Sequence, residues 1–115
     1  MLFTTINIGD KEYKARLTTK AVIELERKLG TNPVNVLLGM AKNENELPNL
    51  ETLLMFLNAS LKASIPGLTL DDTYAMYDEM IDEGKDISDL INIIVSILQE
   101  SGLAPNEAKN PKKGK

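Results

Sequence analysis

Six carboxylates crowd one short stretch of the chain: Asp71, Asp72, Asp78, Glu79, Asp82 and Glu83. Asp78/Asp82 and Glu79/Glu83 stand four residues apart, so on a helix each pair shares a face on adjacent turns. Two such oxygen donors could hold a hard cation such as Mg²⁺ or Ca²⁺. Two carboxylates held together could also split their pKa values for acid–base work. The spacing is not that of an EF-hand loop, and like charges at i,i+4 cost only about 0.2–0.5 kcal/mol in water. The plainer reading is a solvated acidic face, fit to meet a basic partner if it meets anything. Tyr74, Met76, Tyr77 and Met80 lie between these acids. They suit either an adaptable binding patch or a core, and their spacing favours a core.

Composition removes most other chemistry. The chain has no histidine and no cysteine. Ser-His-Asp and Cys-His arrangements are therefore excluded, as are imidazole and thiolate metal sites. Only carboxylate, lysine, tyrosine or serine chemistry is left. Gly9, Gly30, Gly39, Gly67, Gly84, Gly102 and Gly114 are scattered, mostly at element ends, and form no phosphate-binding loop. No catalytic residue, cofactor or metal is expected, and an enzyme is not.

Charge is unevenly spread. Residues 1–30 hold six Lys/Arg against four Asp/Glu, residues 31–105 a net of −9, and residues 106–115 a net of +3. An acidic body repels nucleic acid and anionic membrane. No apolar run approaches the roughly 20 residues of a membrane span. Met1 to Thr5 lacks a basic n-region and an apolar h-region, so no signal peptide is expected, and the absence of cysteine gives no hint of secretion. A cytoplasmic location follows as an expectation.

At 115 residues one domain is expected over 1–105, a hairpin at 2–17 and a helical body at 18–103, with a disordered basic tail at 106–115. Phe3 to Ile8 alternates in the β sense, and so do Tyr13, Ala15 and Leu17. Gly9-Asp10 between them suits a type II′ turn. A lone hairpin is marginal in water, so its Ile/Tyr/Leu face must pack on something else. About five short helices follow. Thr18 or Thr19 caps the first, striped by Val22, Leu25 and Leu29 and closed by Gly30. Asn32-Pro33 opens a second, nearly all apolar, running to about Lys42. After a polar linker at 43–48, Asn49 caps a third, with Leu50, Leu53, Leu54, Leu57 and Leu61 at helical spacing. Thr69-x-x-Asp72 resembles a capping box before a fourth, and Asp86 caps a fifth lined by Ile87, Leu90, Ile91, Ile94 and Leu98. The fold class expected is mainly α: an N-terminal β-hairpin and about five short helices in a compact bundle.

Leu17 to Gly39 reads helix, glycine stop, turn, helix, which is also the layout of a DNA-binding helix-turn-helix. A recognition helix needs polar or basic side chains toward the major groove and cations for phosphates. Here the second helix offers Asn35 and Lys42, and its other side chains belong in a core. Each phosphate neutralised adds about 0.9 to the salt slope, and this surface neutralises almost none. The four tail lysines have no arginine and no aromatic beside them to stack on bases. The stretch is a packing unit, and a nucleic-acid partner is not expected.

The order of these parts carries a resemblance. A hairpin containing "INIGDKEYKARLTT" leads into "KAVIELERKLGTNPVNVLLG", and an acidic helical body ends in "LINIIVSILQESGL". Tyr13, the segment Glu26 to Gly30, Asn32-Pro33 and Glu100 to Leu103 carry it. Over about residues 3–103 the chain resembles the tail assembly chaperones of long-tailed, siphovirus-type bacteriophages and prophages of Gram-positive bacteria. The resemblance implies a mostly helical, non-enzymatic protein of the host cytoplasm, absent from the mature virion. It implies as partners the tape measure protein, which such chaperones coat, and the tail tube protein, whose subunits they help recruit. It also implies that the Pro111 to Lys115 ending fits a programmed frameshift to a longer form. A generic helical adaptor and a small DNA-binding regulator are the alternatives. Self-association is left open.

A chaperone of this kind must bind apolar helix surface reversibly and stay soluble, and an apolar groove in an acidic shell does both. Off-stripe or near-continuous apolarity marks Met40, Met55 and Phe56 as the expected partner contacts, on the second and third helices.

Overall fold

Gly9 and Asp10 make the first turn, and the reason is conformational. Gly9 has φ +61° while Asp10 does not enter the left-handed region, the sign pattern of the expected II′ turn. Strands β1 (Thr4–Ile8) and β2 (Lys11–Ala15) pair antiparallel around it, with Ile6 opposite Tyr13 and Ile8 opposite Lys11. A computed structural model of the chain describes residues 3–30 and 49–103. Alternation puts Ile6, Ile8, Ala15 and, just past the strand, Leu17 on one buried face.

That face packs on the chain's own helices. Arg16 N–H donates to Ser60 O at 2.9 Å, Leu17 N–H to Ser101 Oγ at 3.0 Å, and Ser64 Oγ to Lys14 O at 2.7 Å. These bonds tie β2 to both ends of the helical body and give the two-stranded sheet the support it lacks alone.

Four helices are present among the described residues. α1 (Thr19–Leu29) is capped by Thr18, whose side chain accepts from Ala21 N–H, and ends on Gly30 at φ +72°. α2 (Leu50–Leu61) is capped by Asn49, whose Oδ1 accepts from Thr52 N–H at 2.9 Å. α3 (Leu70–Asp82) opens with the reciprocal Thr69/Asp72 capping box that the sequence shows. α4 (Ile87–Glu100) opens with a second such box, between Asp86 and Asp89.

α2 is the hub, packing against α1, α3, α4 and β2. Most of its surface is therefore covered, with Leu53, Leu54, Phe56, Leu57 and Leu61 all in the core, while Glu51 stays exposed and Met55 and Ala59 half-buried. Each such side chain contributes about 1.5–3 kcal/mol of hydrophobic stabilisation. The fold is mainly α with an N-terminal hairpin, as expected from the sequence. The expected second helix at 33–42, the linker at 43–48 and the tail at 106–115 lie outside the described residues.

Candidate partner-binding groove

Where α1 crosses α2, small residues leave space. Ala21 on α1 and Ala59 on α2, with Ala63 just beyond, line the space between the two helices. The result is an open groove of about 230 Å³ between the two helices. Leu25 seals its base from α1, and Met55 and Leu70 add half-buried apolar wall. Lys20 and Lys28 stand along one bank and Lys62 on the other, with Glu24 between the first two. None of the three lysines is in an ion pair among the described residues.

Asn58 fixes the floor. It is only 4% exposed yet lines the groove. Its Nδ2 donates to Leu68 O at 3.3 Å and to Thr73 Oγ1 at 3.1 Å. Thr73 Oγ1 in turn donates to Thr69 O at 3.1 Å. One buried amide thus clamps α2 to the loop before α3 and to the first turn of α3, so the groove has a rigid wall.

The expected contact residues fall in three different places. Met55 lines the groove. Phe56 does not: it is 1% exposed, enclosed by the elements that surround α2, so the surface role expected for it is corrected to a core role. Its off-stripe position is satisfied within the chain. Met40 lies outside the described residues.

The carboxylates of α3 stay on the surface. Asp78, Glu79, Asp82 and Glu83 are all exposed. Glu79 and Glu83 both reach toward Gly9, where a Cβ would sit 3.4 and 3.2 Å from their Oε2 atoms. Among the described residues no three acidic side chains are grouped to hold a metal ion. Met76, Tyr77 and Met80 are buried in the core and Tyr74 is half-buried against it, which is the core reading of that cluster.

Sequence reasoning missed the groove's alanines and its basic rim. The only signal available was a run of small residues on otherwise apolar helix faces and the repeat Lys20, Glu24, Lys28, both ordinary features of a solvated helix. Among the described residues no helix is long and apolar enough to cross a membrane. Among the described residues, a hairpin clamped onto four helices defines a small, mainly helical protein, and the open groove between α1 and α2 is its candidate site. The chain belongs to a family described as of unknown function, DUF6096, whose model matches residues 2–115. No curated protein and no solved structure matches it.

Proposed function

We propose that this protein is a tail assembly chaperone of a long-tailed bacteriophage or prophage. It binds the tape measure protein, helps recruit tail tube subunits around it, acts in the host cytoplasm and leaves before the virion is complete. The role needs no catalysis, no cofactor and no nucleic acid. One observation carries the reading: the open groove between α1 and α2, walled in part by Ala21, Leu25, Met55 and Ala59, which offers apolar surface for one flank of a helix. Of the residues of the resemblance, Asn32-Pro33 lies outside the described residues. Tyr13 lies in β2, Glu26 to Gly30 close α1, and Glu100 to Leu103 close α4.

A generic helical adaptor is the reading the same groove also supports, since an adaptor would dock a helix there as well. Co-expression separates them. The chain should keep the tape measure protein encoded beside it soluble and should co-purify with it. A tape measure protein that aggregates equally with and without the chain, while the chain itself stays folded, would remove the chaperone reading and leave the adaptor.

A further inference from the structure

The groove's rim has the opposite sign to the helices behind it. Residues 49–103 hold ten Asp/Glu against Lys62 and Lys85. Yet Lys20, Lys28 and Lys62 border the groove, with Glu24 the one acid among its lining residues. Lysines that, among the described residues, are in no ion pair and border this trough are placed to meet acids from outside. We infer that the groove takes an amphipathic helix of another protein in which an aliphatic strip is flanked by Asp and Glu.

The geometry narrows the pattern. The lining residues run from Lys20 to Lys28 along α1 and from Met55 to Ala63 along α2, about 12 Å on each side at 1.5 Å per residue, so the trough holds about two turns of a docked helix. The apolar lining of Ala21, Leu25, Met55 and Ala59 takes aliphatic anchors at i, i+3 or i+4, and i+7. Lys20 and Lys28 are eight residues apart, about 12 Å along the bank, so the facing acids stand roughly two turns apart. One further acid on the opposite flank meets Lys62. Asp71, one residue beyond the groove-lining Leu70, reverses the sign at that end, so the partner's acids belong beside α1 and not over α3. At physiological salt the screening length is about 8 Å. The rim lysines therefore outweigh the chain's distant acids within the trough, although the whole chain carries a net charge of −4.

This inference rests on the groove being the partner site, and names the chemistry of what enters it. Its test uses the full-length chain and three stapled helical peptides of about fourteen residues with identical leucine anchors. Their flanking positions carry Glu, Gln or Lys, and each has a fluorescein label for anisotropy titration. The Glu peptide should bind about tenfold more tightly than the Gln peptide, with the Lys peptide weakest, as three exposed charge pairs together would give. A triple variant, K20E/K28E/K62E, should reverse that order while keeping a cooperative thermal melt, because none of the three lysines is in the core.

Equal binding of the three peptides, no saturable binding of any, or an order unaltered in the triple variant overturns the inference. So does sedimentation showing that a second copy of the chain fills the groove and excludes the peptides. Tape measure capture without a peptide preference refutes the inference and leaves the proposed function standing. Peptide preference without tape measure capture does the reverse.

Discussion

Replacing Asn58 with leucine tests how the groove's wall is held. The two side chains share a branch at Cγ and the same number of heavy atoms, so the change removes polarity while keeping the shape, with some added bulk. In the native chain Asn58 Nδ2 supplies hydrogen bonds to Leu68 O and Thr73 Oγ1 at 3.3 and 3.1 Å. Leucine leaves the carbonyl of Leu68, a residue 8% exposed, without that donor. An unsatisfied buried acceptor costs about 1–3 kcal/mol. Thr73 Oγ1 keeps its own bond to Thr69 O, so its loss is the smaller part. Added apolar surface at the site returns under about 1 kcal/mol. The expected net destabilisation is about 2 kcal/mol, which lowers the melting temperature by about 10 °C in a domain of this size. Urea unfolding followed by circular dichroism reads it, with the slope unchanged if the unfolded state is unaffected. Asn58→Asp should cost more at neutral pH, because a carboxylate would face the Leu68 carbonyl with no proton to offer. Two variants within 0.5 kcal/mol of wild type would show that the amide clamp contributes little and that the argument from buried hydrogen bonds is wrong here.

Three further outcomes follow from the packing. Phe56→Ala should destabilise the fold by about 3–5 kcal/mol, since the ring is enclosed, whereas Met55→Ala at the groove should cost about half that or less; parallel urea titrations compare them. Gly9→Ala should cost more than Gly30→Ala, both losing about 1 kcal/mol to the left-handed backbone, because only at Gly9 must a new methyl displace the Glu79 and Glu83 carboxylates; thermal melts of the pair show the difference. Asp86→Ala should destabilise by about 1 kcal/mol by opening the capping box at the start of α4, and Asp86→Ser should recover most of it in the same melt.

Local signals gave most of this fold because they are read over three or four residues. Gly9-Asp10 between two alternating runs, Thr18 before a helical stripe with Gly30 after it, and Asn49 before the leucine period each name an element and its end. The Asp86/Asp89 box was visible only as a cap, since aspartate stands at both positions where Ser/Thr and Glu/Gln are the usual pair. Phe56 shows where a correct observation led to a wrong place. Apolarity on more than one side of α2 was plain, and a helix apolar all round is a buried helix. A sequence does not say whether the neighbour covering a given side belongs to the same chain. The groove itself was out of reach. Ala21 and Ala59, far apart in sequence, line the same space between two helices, and an alanine in a sequence does not say whether the space beside it is filled. The basic rim was hidden for the same reason: Lys62 joins Lys20 and Lys28 only in three dimensions.

The central claim is that another protein's helix lies between α1 and α2, and the absence of cysteine makes it directly measurable. Ala59→Cys or Ala63→Cys puts a single thiol in the groove, and Ala75→Cys puts one on the exposed face of α3. Each is labelled with benzophenone-maleimide and irradiated in the co-expressed complex with the tape measure protein. The account predicts cross-links to the tape measure protein from the groove positions and none from Ala75→Cys. Cross-links from Ala75→Cys with none from the groove, in variants that fold normally, would contradict it.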